Sequence, residues 1–335
     1  MRDALTGRAR GTRPQGALSR EVARARVNCR MQTCIIFNPK AGTAAQMESL
    51  REQIDARPHF ELFETMDPAQ VRRAVIAAVE RRASIIVAAG GDGTVSAVVN
   101  AMVARRTPAT LGIIPLGTGN DLARTLALPL DDAPAALALL DDGERRSVDL
   151  IRVRVGKRVV FGTNCAAGGF TGQMNEAMTD QIKQTWGPLA YLRGAVKVLP
   201  DLTRYHTTIR IDGRAPQRIG AMNVIVANGR TAGGGTVVAP HANPEDGLLD
   251  VVIVRSGSML ELTGVAARLI AGDYTTSDLV AHERARRVEV WSKPGMWFNV
   301  DGELLSKQRT VFSALPRAVR VVVGPEYRAQ LDTRG

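Results

Sequence analysis

A chain of 335 residues that is 45% hydrophobic and 23% charged carries enough apolar side chain for one large or two medium cores, and at this length two are expected. Its longest apolar runs, such as Ile85-Ile86-Val87-Ala88-Ala89, are strand-sized, far below the ~20 residues of a membrane-crossing helix, which excludes a helical membrane-spanning class. The net charge of +11 favours a phosphate-bearing ligand or an anionic membrane surface. Aromatics are only 4%, so little beyond charge suggests a nucleic-acid binder, and no nucleic-acid partner is expected.

Residues 1–30 hold eight Arg against Asp3 and Glu21, interspersed with Gly and Pro and without an apolar period. They read as a basic disordered tail with no signal-peptide core, and Met31 could be the true start. Without them the net charge falls to about +5. From Thr33 to about Leu140 short apolar runs alternate with helical periods. Thr33–Phe37, Phe60–Phe63, Ser84–Ala89 and Thr110–Pro115 read as strands. Met47, Leu50 and Ile54 mark one helix, Val71, Val75 and Val79 a second, and Val95–Met102 a third. Such alternation implies a parallel sheet covered by helices on both faces.

After Asp149 the character changes. Leu150–Val155, Val159–Thr163, Thr207–Ile211, Arg218–Ala227, Leu248–Val254, Arg287–Trp291, Trp297–Val300 and Val319–Val323 read as strands, many alternating charged and apolar residues. Gly156-Lys157 and Asp212-Gly213 are hairpin turns. This half reads as an antiparallel sandwich interrupted by a helical segment around residues 173–199. There Leu189, Leu192, Val196 and Leu199 recur at helical spacing beside Trp186, Tyr191, Lys183, Arg193 and Lys197, either as core or as an acyl-chain slot. The expected fold class is therefore two-domain α/β: a Rossmann-like parallel domain over residues 31–148, then an antiparallel β-sandwich over 149–330. Cys29, Cys34 and Cys165 form no CxxC and the four histidines lie far apart, which argues against a zinc site or disulfide framework and suits a cytoplasmic setting.

The strongest chemical signal is Gly90-Gly91-Asp92-Gly93-Thr94, between a strand and a helix. Glycines there let a ligand approach the backbone, and amides at the helix start favour phosphate oxygens. A second loop, Pro115-Leu116-Gly117-Thr118-Gly119-Asn120-Asp121, sits one βα unit later. In it Thr118 can bond a phosphate, and Asn120 or Asp121 can cap the next helix. A third, Asn38-Pro39-Lys40-Ala41-Gly42, closes the first strand on the same edge. Walker A, GxGxxG and protein-kinase HRD and DFG elements are absent. Downstream, Asp301-Gly302-Glu303 follows a strand. Carboxylates at i and i+2 of an extended segment would project together and raise one another's pKa, although an Asp-Gly hairpin turn also fits. Asp246-Gly247-Leu248-Leu249-Asp250 could be a turn or, with nearby carbonyls, a hard-cation site.

With Asn38-Pro39, GGDGT at 90–94, PLGTGNDLAR at 115–124, GTVVAP at 235–240, DGLLD at 246–250 and DGE at 301–303 in order, the sequence resembles the diacylglycerol kinase catalytic-domain family from about Gln32 to Gly324. The resemblance implies a lipid kinase that moves the γ-phosphate of ATP, with Mg2+, onto a lipid hydroxyl. ATP would lie in the cleft between the domains, and the lipid would be met at a membrane surface by a peripherally associated protein. It implies nucleotide contacts from Asn38, Thr65, Gly90, Gly91, Asp92, Gly93, Thr94 and Thr118. It also implies a catalytic pair in Asp301 and Glu303, and a structural magnesium site at Asp246 with main-chain oxygens of Asn243 and Leu248. Ser96 and Ala97 stand where the family usually has Asn-Glu, and Ala101 where it has Gly, which puts one polar contact near the nucleotide or partner domain in question. An NAD kinase, which also uses GGDGT, and a non-catalytic nucleotide- or lipid-binding regulator are the alternatives; a homodimer is left open.

Overall fold

The computed structural model describes residues 32–42, 44–171, 204–272 and 274–330; the basic tail and the candidate helix around 173–199 lie outside them. The first domain is doubly wound. Strands β1 (Thr33–Phe37), β2 (Phe60–Glu64), β3 (Ile85–Gly90) and β4 (Thr110–Pro115) pair in parallel in the order β2-β1-β3-β4. Residues of β1 alternate between two cores, as a pleat with both faces covered requires. Cys34 and Ile36 pack with helices α2 (Pro68–Glu80) and α3 (Asp92–Arg105). Ile35 and Phe37 pack with α1 (Ala44–Asp55) and α5 (Ala133–Asp142), beyond a short α4 (Asp121–Thr125). α2 begins at Asp67, whose carboxylate accepts from the Ala69 and Gln70 amides at 2.8 Å, with Pro68 at the first helical position where its missing N–H costs nothing.

The second half is an antiparallel β-sandwich. One core lies between its sheets and draws on β5 (Arg145–Val155), β7 (Cys165–Gly169), β8 (Tyr205–Ile211), β9 (Gln217–Ala227), β12 (Leu249–Arg255), β14 (Arg287–Lys293) and β15 (Phe298–Val300). The hairpins expected at Gly156-Lys157 and Asp212-Gly213 are present: Val155 pairs with Arg158 across the first, and Asp212 and Gly213 take φ of 46° and 73° in the second. Asp212 Oδ1 also accepts from the Arg286 and Arg287 amides, which pins that turn to β14. β9 and β12 run apolar without alternation because helix α6 (Met259–Ala271) covers their other face, forming a further core with Val252, Val254, Leu262 and Val265.

The division at residue 148/149 is not a clean one. β5 begins at Arg145 and runs through it, and the final strand, β17 (Thr310–Val322), is much longer than the expected Val319–Val323. Its first half pairs with β14 and β5, and its second half returns to the first domain, where Val321 sits opposite Leu111 of β4. Val319, Val321 and Val323 therefore belong to the first domain's core. The two sheets are one continuous hydrogen-bonded surface joined through β17.

Candidate active site

The carboxyl ends of β1 to β4 share one edge, where open α/β sheets bind their ligands. Asn38 follows β1, its amide donating to Ala89 O and its Oδ1 accepting from the Lys40 amide at 3.0 Å. Thr65 follows β2 and is buried, its hydroxyl donating to Phe37 O. Gly90 ends β3, and an added Cβ there would come within 2.5 Å of Thr94 Oγ1. The two glycine loops touch: a Cβ on Gly117 would lie 2.4 Å from Gly91 Cα, so these positions admit no side chain without separating the loops.

The loops are also stapled by charge. Asp92 Oδ1 accepts from the Asp121 amide at 2.8 Å and so caps α4 from the neighbouring loop. Asn120 and Asp121 do not take the capping role expected of them. Asn120 has φ 52° and its side chain closes the loop onto Gly117 N and O. The Asp121 carboxylate instead accepts from the amides of Gly234 and Gly235, binding this loop to the sandwich domain.

Asp301 and Glu303 reach the same place through the Asp-Gly hairpin turn, the alternative the tripeptide also allowed. Val300 and Glu303 pair across a two-residue turn in which Asp301 and Gly302 have φ 47° and 89°, the doubly positive pattern of a type I′ hairpin. The turn parts the side chains instead of projecting them together. Glu303 is exposed, whereas Asp301 turns inward. There Oδ2 accepts from Thr163 N (2.6 Å) and Thr163 Oγ1 (2.9 Å), and Oδ1 from Asn164 N (3.0 Å) and Cys165 N (3.2 Å). Burial pushes its pKa up, opposed by those four donors, so the cause is desolvation and not the proximity of Glu303. Asp92 is pushed up to about 6, first by burial and then by the negative charges of Asp121 and Asp301.

A cavity of about 540 Å3 joins these groups. Its polar end holds Asp92, Gly93, Thr118, Asp121, Asp301 and Glu303. Its other end is apolar, walled by Ala167, Ile225, Val254, Leu262, Val265 and Leu269 between the sandwich and α6. Asn38, Thr65, Gly90, Gly91 and Thr94 build the edge but do not line this cavity. The apolar wall was not anticipated from α6, although Ser258 and Glu261 spell a capping box and Gly272 stops the helix in the left-handed conformation, both readable signals.

Ala97 supplies no polar group at the position put in question. Ala97 packs against the first domain's core, while Asn100 clasps β6 (Arg158–Gly162): its Nδ2 donates to Phe161 O at 2.8 Å and its Oδ1 accepts from Phe161 N at 2.9 Å. The residues expected to hold structural magnesium are Asp246 and, through their main-chain oxygens, Asn243 and Leu248. Asp246 is ion-paired with Arg284, its Oδ1 accepts from the Leu248 amide, and Asn243 Oδ1 accepts from the Glu245 amide. Among the described residues no group of three or more His, Cys, Asp or Glu side chains is placed to hold a metal ion.

Comparison with known proteins places the chain in a family. Residues 32–153 match the diacylglycerol kinase catalytic domain, and residues 164–323 match the YegS C-terminal NAD kinase beta sandwich-like domain. A Pseudomonas aeruginosa protein named "Probable lipid kinase YegS-like" is 37% identical over 292 residues, covering 86% of this chain and 92% of that protein. A Bacillus subtilis protein named "Diacylglycerol kinase" is 30% identical over 302 residues, 89% of this chain and 98% of its own. The fold is shared with a Bacillus anthracis diacylglycerol kinase crystal structure, with a TM-score of 0.68 at 21% identity over 89% of this chain and 98% of that one. Fold and matched models together define the class as two-domain kinases, phosphotransferases with an alcohol acceptor. Within that class, the chain belongs to the diacylglycerol kinase and YegS-like lipid kinase family.

Proposed function

We propose that the protein transfers the γ-phosphate of ATP to the hydroxyl of a membrane lipid, with Asp301 as proton acceptor. The observation that carries this reading is the single cavity with phosphate-loop residues and Asp301 at one end and an apolar chamber at the other. Phosphoryl transfer asks the protein mainly for positioning and charge stabilisation. The amides opening α3, around Gly93, meet the phosphates at the positive end of the helix dipole. Mg2+ accompanying the nucleotide supplies charge neutralisation when bound. Asp92 is the residue that would hold it, since its charge is crowded by Asp121 and Asp301 and a divalent cation would relieve that crowding.

The lipid hydroxyl attacks the γ-phosphorus as the bond to the β–γ bridging oxygen breaks, and its proton passes to Asp301. All four acceptor positions of that carboxylate are engaged. Three of the donors are backbone amides; the fourth, Thr163 Oγ1, is a hydroxyl that can rotate away and free a lone pair for the incoming proton. Glu303, exposed in the cavity lining, would orient the headgroup.

Incubating the protein with γ-labelled ATP, Mg2+ and separate samples of diacylglycerol, phosphatidylglycerol, a sphingoid base and NAD tests this reading. Label in one of the lipids is expected. Label in NAD alone, or in none, overturns it. A sharper check of the nucleotide edge is Gly93→Ala: nothing lies within 4 Å of the added Cβ, so the fold has no use for this glycine. Its melting temperature should be unchanged or slightly raised, while nucleotide affinity measured by calorimetry should fall at least ~10-fold where the methyl meets a phosphate.

A further inference from the structure

Exposed large apolar side chains are concentrated on the helix that walls the cavity. Of seven among the described residues, Met259, Leu260 and Ile270 stand on α6 at 50%, 84% and 80% exposure. Val237 and Leu304 adjoin Thr236 and Glu303, which line the cavity. Singly exposed apolar residues need no explanation; three on one helix do. α6 is two-faced in an unusual sense. Leu262, Val265 and Leu269 turn inward as the cavity wall, and Leu260 and Ile270 turn outward into water.

The surroundings are basic. Arg255 ends β12 and shares a cross-strand row with Ala221 and Tyr205, next to Arg204; Lys293 lies one row on, opposite His206. Arg255, Arg204 and Lys293 are exposed. Of the nearby acids, Glu261 is committed to the capping box of α6, and Asp278 and Glu303 are exposed. An apolar helix face flanked by exposed cations matches the boundary of an anionic bilayer. Two copies of a chain with net charge +11 would instead repel one another.

We propose that the outer face of α6, with Val237 at its flank, docks onto an anionic membrane, and that an acyl chain passes from the bilayer beside α6 into the cavity. The second half rests on the lipid-kinase reading; the docking half does not. The test is flotation of the full chain with vesicles of phosphatidylcholine alone and of phosphatidylcholine with phosphatidylglycerol. It compares the wild type, a Leu260→Asp/Ile270→Asp double variant and Met66→Asp, which alters an exposed apolar residue at the start of α2 (51% exposed).

Wild type and Met66→Asp should bind the phosphatidylglycerol vesicles, and the double variant should bind them at least ~10-fold less. Turnover of a short-chain diacylglycerol in detergent micelles should stay within about twofold of wild type, because neither altered residue lines the cavity. Unchanged vesicle binding by the double variant overturns the proposal. So does an equal loss with Met66→Asp. A shift from dimer to monomer in sedimentation with vesicle binding intact assigns the face to a second copy and likewise overturns it. If no lipid is phosphorylated but vesicle binding still follows α6, docking stands and the substrate reading falls.

Discussion

Asp301→Asn is expected to lower kcat by about three orders of magnitude, the usual worth of a positioned general base, while nucleotide affinity stays within a few fold. The backbone should tolerate the change, since Asp301 sits at φ 47°, in the left-handed region that Asn enters readily. The electrostatics should not be neutral. One carboxylate oxygen becomes an NH2 facing Thr163 or the Asn164 and Cys165 amides, so a modest loss of thermal stability accompanies the loss of turnover. The pH profile separates the two effects. Because burial raises the Asp301 pKa, the acid limb of wild-type kcat/KM should fall above the ordinary carboxylate range. Residual turnover of the variant should lack that limb. Activity within tenfold of wild type, with the limb intact, would move the base to another group, and Glu303→Gln is the next substitution to measure.

Asp92→Asn should do the opposite to stability: a more stable protein with little or no kinase activity. Asn keeps the Oδ1 that accepts from the Asp121 amide and removes a charge that burial, Asp121 and Asp301 all oppose. The sign follows from linkage. A carboxyl whose folded pKa is about 6, against an ordinary 3.8, binds its proton more tightly folded than unfolded. The wild type therefore gains stability from this group on acidification through that window and carries the full cost above it. The variant avoids that cost, so its advantage should be about 1–3 kcal/mol at neutral pH and vanish below the ordinary carboxylate range. Melting temperatures across the pH range read this directly. Added Mg2+ with nucleotide should narrow the gap by stabilising the wild type alone. A gain in stability that persists unchanged at low pH would show that the charge is not its source.

What was readable in the sequence follows from where burial is double and where it is single. β1, β3 and β4 are covered on both faces and appear as apolar runs between glycine-bearing turns, so their limits emerge within a residue. β7 reads Cys-Ala-Ala-Gly-Gly, small residues with no β propensity, and is a strand because β9 and β15 hold it on either side. The first half of β17 was hidden by Pro316 and by Arg317, which takes φ 51° at a register shift between Leu315 and Val319. At the candidate site the motifs supplied candidate residues but not the wiring. That Asp92 caps its neighbour's helix, that Asp121 reaches the Gly234-Gly235 amides, and that Asn100 grips Phe161 are long-range contacts with no local periodicity. Asp246 and Arg284 are 38 residues apart in sequence, so their ion pair could not be read from either motif.

The path of β17 has one last consequence. Because a single strand is hydrogen-bonded into both sheets, the two lobes are not beads on a tether, and no short linker exists about which one could swing freely from the other. Any ligand entering between the lobes would then call for twisting of the shared spine or movement of the glycine turns at its edge. A chain cut before Thr310 would forfeit a staple of both lobes at once.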